Sequence, residues 1–152
     1  MAGMVDFIEP FENFIDHFRG SGVEIFHDKC HYRFWGWLLG ELGFTEYQRW
    51  PQGASYLCGD TYVVFVQVEA RFREPPYHRC RVGLNHLALH APSREAVDRL
   101  TAELRRRGVK MLYEDRHPYA GGPDHYAVFY EDPDRIKVEI VAPHSGQRSD
   151  VS

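Results

Sequence analysis

The feature that most constrains this chain is a pattern that occurs twice. Asp28 and Ser93 lie 65 residues apart and each opens an amphipathic stretch; Gly43 and Gly108, also 65 apart, close those stretches. Phe34, Trp35, Leu38, Leu39 and Leu42 recur at helical spacing in the first, and Ala96, Val97, Leu100 and Leu104 do so in the second. Ser93 suits an N-cap, because its hydroxyl can accept from a free amide of the first turn, and a glycine suits the left-handed residue that ends a helix. One short extended run precedes each helix (residues 23–26 and 84–90). Three follow each, at 47–50, 55–58 and 62–69, and then at 110–113, 125–130 and 136–141. The turns between them carry Pro51-Gln52-Gly53, Gly59-Asp60 and Asp132-Pro133-Asp134-Arg135. The order is βαβββ twice, an α+β class. Its period is too long for a solenoid, so it predicts two like modules packed side by side.

The boundaries follow from this pattern: an N-terminal helical extension (1–20), a first module (21–70), a polar linker (71–82), a second module (83–143) and a tail without apolar period (144–152). In the extension, Phe7, Ile8, Phe11, Phe14, Ile15 and Phe18 make a stripe that packs on its own domain or closes a homodimer. With 43% apolar residues among 152, the chain can build a packed interior. Eighteen basic and twenty-two acidic residues leave a net charge of −4 without a long basic run, which argues against a nucleic-acid partner. Cys30, Cys58 and Cys80 lack CxxC spacing, and no apolar run approaches the roughly 20 residues that span a bilayer. A cytoplasmic protein without a membrane partner is the expectation.

The segments GLNHLALHAPSREAVDRL, LRRRGV and HYAVFYEDPDRIKVEIVAP resemble the second module of the vicinal oxygen chelate superfamily. That superfamily includes glyoxalase I, extradiol dioxygenases, fosfomycin-resistance enzymes and bleomycin-resistance proteins. The matching features are His86 opening a strand, Ser93 at the helix start, Gly108 after the helix, and the Asp132-Pro133 turn before a final strand carrying Glu139. They cover residues 83–143. The first half is similar more loosely, through FWGWLLGELGF and the strand that holds Gln67. The resemblance implies that the two modules form a cupped mixed sheet, the glyoxalase/bleomycin resistance fold, whose inner face holds a divalent metal or a small ligand.

Strand alternation says which residues reach that inner face. In HLALHA, Leu87 and Leu89 want the helix, which turns His86, Ala88 and His90 toward the cup; in IKVEIVA, Val138 and Ile140 want the helix and Glu139 turns inward. An imidazole and a carboxylate suit Fe, Mn, Ni, Zn or Co. The family pattern implies further ligands from the first module, but Gly22 or Ser21 stands where its histidine would be. In YVVFVQVE, placing Val64, Val66 and Val68 against the helix leaves Phe65, Gln67 and Glu69 for the cup, with Gln67 as the counterpart of Glu139 and a weaker ligand. Glu24, Glu69, His90 and His125 remain as groups to complete the metal site, and spacing does not choose among them.

Two functions follow. One is a metal enzyme of lyase, isomerase or dioxygenase type. In it His86, Glu139 and Gln67 hold the ion, a small oxygen-rich substrate chelates it, and His125, Glu24 or Glu69 moves protons. The extradiol signature needs a longer gap between its histidine and the apolar-Tyr pair than His125 to Phe129-Tyr130 gives, and expects Gly or Pro where Arg135 stands. The other function is a metal-free sequestering protein, with Phe26, Phe65, Phe129 and Trp50 as stacking surface and His90 nearby. An interaction subunit is a third and less favoured reading. His27, Cys30 and His31 read as structural, and Arg79, Arg81 and Arg116 lie in loops where they could meet an anionic substrate.

Overall fold

A computed structural model describes residues 20–27 and 32–144. The N-terminal stripe, the tail beyond 144, and Cys30 and His31 lie outside the described residues. Strands β1 (Ser21–His27), β2 (Thr45–Trp50), β3 (Gly53–Cys58) and β4 (Thr61–Gln67) form one sheet in the order β1-β4-β3-β2, with helix α1 at Tyr32–Glu41. Strands β5 (His86–His90), β6 (Met111–Leu112), β7 (Ala127–Glu131) and β8 (Lys137–Val141) form the second in the order β5-β8-β7-β6, with helix α2 at Arg94–Arg106. In each sheet the first and last strands pair parallel and the remaining neighbours pair antiparallel. The two βαβββ units are therefore as the repeat predicts, and their cupped sheets as the resemblance implies.

Local chemistry explains the element ends. The Ser93 hydroxyl accepts from the Ala96 amide at 3.2 Å and caps α2. Gly43 (φ 86°) and Gly108 (φ 69°) take the left-handed conformation that stops each helix, where a side chain would be strained. The helices bury their apolar faces, Trp35, Leu38 and Leu39 from α1 and Val97, Leu100 and Leu104 from α2. Against these pack Ile25, Val63 and Phe65 of the first sheet and Leu89, Val128, Val138 and Ile140 of the second, in one continuous core.

The modules meet through the β7–β8 turn. Buried Trp35 donates its indole N–H to Asp132 Oδ2 at 3.2 Å, and His27 Nδ1 lies 2.5 Å from Asp134 Oδ2. Asp132 Oδ1 also accepts from the amides of Asp134 (3.0 Å) and Ile136 (2.8 Å). Phe34 of α1 meets Tyr130 of β7 edge-on, with centroids 6.2 Å apart. His27 thus performs the structural role expected of it, at 3% exposure.

The face assignment of β4 requires correction. Phe65 is 2% exposed and packs on Trp35 at 4.7 Å, inside the helix-side core. Val63 and Phe65 face the helix, while Tyr62, Val64 and Val66 face the cup. Gln67 shares the parity of Phe65 and lies opposite His27 in register, so it stands on the helix side. The reason is that β4 is central and covered on both faces. Val64 is as fully buried as Val63, so an apolar alternation in this strand carries no sign. The parallel register with β1, which sets Ile25 beside Phe65, supplies it.

Candidate functional site in the second module's cup

In the second module the alternation holds, and three chemical groups converge on the face away from the helices. Glu139, at the middle of β8, is 6% exposed. Its Oε2 lies 3.2 Å from His86 Nε2, and its Oε1 is hydrogen-bonded to His125 Nε2. His86 opens β5, and His125 arrives from the loop before β7. The close approach of that loop depends on Gly121, because a Cβ there would lie 2.3 Å from His125 Cδ2. Phe129, in register with Glu139, stacks its ring near His125 (6.3 Å, 28°) and sits with Ala127, Val141, Leu112 and Ala120 as the apolar floor.

A residue that sequence reasoning missed, Asn85, orients His86 in this centre. Asn85 donates its amide N–H to the Arg79 carbonyl at 3.3 Å, which turns its Oδ1 toward His86 Nδ1 at 3.1 Å. An oxygen facing Nδ1 requires Nδ1 to carry the hydrogen, so in neutral His86 the Nε2 is a bare lone pair aimed at the Glu139 carboxylate. Two acceptors in contact repel unless a proton or a metal cation lies between them. Only the adjacency of Asn and His in the sequence hinted at this arrangement.

The other predicted positions disperse. Phe65 and Gln67 lie on the helix side, as described above. Glu69 follows the end of β4, stands before the short 3-10 turn Ala70–Phe72 without a side-chain capping bond and pairs with Arg71 at 2.8 Å on the surface, so it is not in the cup. Glu24 stands on the first module's cup face in register with Val64, and desolvation raises its carboxyl above the usual range. His90 is exposed on the cup face of β5. The Trp50 ring lies over Gly53, where a Cβ would approach it to 2.1 Å. Exposed Phe26 shares the cup parity of Glu24. Arg79 is committed to buried Glu131, and Arg81 donates to the Pro76 carbonyl at 2.7 Å.

The first module supplies no counterpart to this centre. In register, Gly22 pairs with Tyr62 as His86 pairs with Lys137, and Glu24 pairs with Val64 as Ala88 pairs with Glu139. The Tyr62 ring covers Gly22 so closely that a Cβ would fall 2.0 Å from it. The counterpart of Glu139 is Val64, not Gln67.

Among the described residues, no group of three or more His, Cys, Asp or Glu side chains stands ready to hold a metal ion. The donor chemistry of His86, His125 and Glu139 still suits a divalent ion, two imidazoles and a carboxylate being a common set. The bare Nε2 facing a carboxylate, with Nδ1 held by Asn85, is how a ligating histidine is oriented by its outer hydrogen bond. A separate groove lined by Arg33, Phe34, Arg107, Lys110, Glu131 and Arg135 contains none of these three residues. Within the described residues, no helix is long and apolar enough to cross a membrane.

Comparisons with known proteins agree with this architecture. The uncharacterized protein YqjT of Bacillus subtilis (strain 168) is 61% identical over 111 residues, 73% of this chain and 87% of that protein. A crystal structure of a candidate glyoxalase from Bacillus halodurans is 60% identical and superposes with a TM-score of 0.79, over 86% of this chain and all of that one. Lactoylglutathione lyase from Agrobacterium tumefaciens (17% identity, TM-score 0.54, 80% and 91% of the two chains) shares the fold. So does the fosfomycin resistance protein FosX from Listeria monocytogenes (18%, 0.56, 82% and 92%). The sequence profile of one family matches residues 36–140, across both modules, and the chain therefore belongs to the Glyoxalase/Bleomycin resistance protein/Dioxygenase superfamily.

Proposed function

We propose that the protein is a divalent-metal-dependent enzyme acting on a small, oxygen-rich substrate in the second module's cup. The observation that carries this reading is the contact of His86 Nε2 with Glu139 Oε2 at 3.2 Å while Asn85 holds His86 Nδ1, an arrangement in which a metal cation would relieve the repulsion that a proton otherwise relieves. His86, His125 and Glu139 would hold the ion. When bound, it supplies a Lewis acid for two substrate oxygens. Around it, Asn85 fixes the His86 tautomer, Gly121 leaves room for His125, and Phe129 excludes water from one side of the substrate.

The direct contact of both imidazoles with Glu139 favours a second reading, a metal-free binding protein. Metal analysis separates the two. After reconstitution with Fe, Mn, Ni and Zn, the enzyme reading expects about one equivalent in total, and less than about 0.1 equivalent removes it. Calorimetry should show His86→Ala and Glu139→Ala lowering affinity by about 100-fold, while Gln67→Ala leaves it unchanged. Equal effects would refute the site assignment.

A further inference from the structure

A chain of polar contacts runs from β7 to His86 through the segment that precedes β5. Glu131, Lys137 and His86 occupy one cross-strand row of β7, β8 and β5, which sets Glu131 about 10 Å from His86. Arg79, which belongs to no strand, connects the two. Its guanidinium is paired with buried Glu131, and its carbonyl accepts from Asn85 Nδ2 at 3.3 Å. Asn85 Oδ1 in turn faces His86 Nδ1 at 3.1 Å.

The polarity of this chain is set at one place. An amide side chain can be reversed end for end, and a neutral imidazole can carry its hydrogen on either nitrogen, whereas a backbone carbonyl only accepts. Reversing Asn85 would put its oxygen against the Arg79 carbonyl oxygen, two acceptors in contact, and turn its NH2 toward His86 Nδ1. The carbonyl therefore selects the Asn85 orientation, and Asn85 places the hydrogen on Nδ1. Because Asn85 is exposed, water could satisfy either orientation if the carbonyl moved away. What holds the carbonyl is a loop tied to itself and to β7. Tyr77 donates its hydroxyl to the Leu84 carbonyl at 2.6 Å, Arg81 Nη1 donates to the Pro76 carbonyl at 2.7 Å, and the Arg81 amide donates to the His78 carbonyl at 2.9 Å. The Arg79 guanidinium fastens that loop to Glu131. Burial alone would raise the Glu131 carboxyl, but Lys110 and Arg79 hold it below the usual range, so the anchor is a carboxylate.

We infer that Arg79 is a positioning residue for His86: by fastening its own carbonyl to Glu131 it fixes the Asn85 amide, and through it leaves His86 Nε2 as the lone pair that faces Glu139 and a metal ion. The consequence for metal rests on the reading of the cup as a metal centre, whereas the tautomer is a property of the metal-free chain, and the two are measured apart. Nitrogen-15 imidazole spectra of the metal-free full chain at about pH 9, where an ordinary imidazole is neutral, should show the His86 hydrogen on Nδ1, assigned by the loss of its signals in His86→Ala. Arg79→Ala should replace that single tautomer by a mixture and lower zinc affinity about tenfold in calorimetry. Lys110 and Arg135 stay on Glu131 in this variant, so its carboxylate is not left unpaired. Arg79→Lys, which keeps a cation for Glu131, should recover part of both effects. Asn85→Ala should match Arg79→Ala, and the double variant should be no worse than Asn85→Ala alone, because the two residues act in series. Lys110→Ala removes a cation from the same carboxylate without loosening the loop, so it should leave the His86 spectrum unchanged and zinc affinity within about twofold.

A native His86 spectrum in Arg79→Ala, equal effects of Arg79→Ala and Lys110→Ala, or effects of Arg79→Ala and Asn85→Ala that multiply in the double variant would overturn the inference. If the native chain binds no zinc yet Arg79→Ala still mixes the tautomers, the positioning role stands and the metal reading fails. If zinc binds the native chain and Arg79→Ala equally and the spectrum does not change, the metal centre stands and the positioning role fails.

Discussion

The two modules share a helix side and differ on the cup side. Val23 with Val63 and Ile25 with Phe65 in the first occupy the register of Leu87 with Val138 and Leu89 with Ile140 in the second, and all pack beneath the helices. On the opposite face His86, Lys137 and Glu139 have Gly22, Tyr62 and Val64 as counterparts. The contrast shows which face was free to change. A helix-side position must fill the core at near-crystalline density, whereas a cup-side position has only to suit a ligand or a neighbour. One module keeps a polar centre and the other has closed the equivalent place with an aromatic ring.

The comparison breaks first at Phe65. If it belongs to the core as its register partner says, Phe65→Ala should cost about 4 kcal/mol in urea unfolding, similar to Ile140→Ala at the equivalent position of the second module, and leave metal affinity unchanged. A ligand-stacking role would give the reverse, with small loss of stability and weakened binding.

A smaller effect tests the joint between modules. Burial pushes the Asp132 carboxyl up to about 6, against the Ile136 amide, which lowers it. A carboxyl raised in the folded state contributes most below its unfolded value of 3.8, and that contribution is lost as pH rises through about 6. From pH 4 to pH 7 the native protein should therefore lose up to about 3 kcal/mol relative to Asp132→Asn, measured as the difference between their stability profiles. Parallel profiles would mean that the carboxylate is better solvated than its position beneath Trp35 implies.

The smallest effect concerns the matching turns. The β3–β4 turn uses Gly59 at φ 54°, while the β7–β8 turn uses Arg135 at φ 70°. Arg135→Gly should relieve about 1 kcal/mol of backbone strain, offset in part by the lost ion pair with Glu131, and raise the melting temperature by a few degrees. A lower melting temperature would show that the Glu131 contact outweighs the strain.

Much of this was legible in the chain. Gly43 and Gly108 mark both helix ends because few residues other than glycine tolerate that conformation, and Leu87 and Leu89 orient β5 because its two faces differ in polarity. The same signal failed in β4, where Val63, Val64 and Phe65 are all buried and nothing polar marks a face. Glu69 continues the alternation of β4 past the point where pairing with β1 stops at Gln67, so the pattern alone does not mark the strand's end. His125 stood among several candidates, since no periodic pattern tells how a loop returns.

Sequence by itself determined what is local and periodic: two βαβββ units, their helix faces, and the inward aim of His86 and Glu139. Hydrophobic alternation and capping act over a few residues, so they can be read without the fold. Tertiary structure alone decided which side of β4 meets α1, that Asn85 fixes the His86 tautomer, that Tyr62 fills the place over Gly22, and that the Asp132–Asp134 turn joins His27 and Trp35 of the other module. Those outcomes depend on register and on contacts between residues as many as 107 positions apart. Such contacts form only when the whole core closes, and no short-range pattern encodes them.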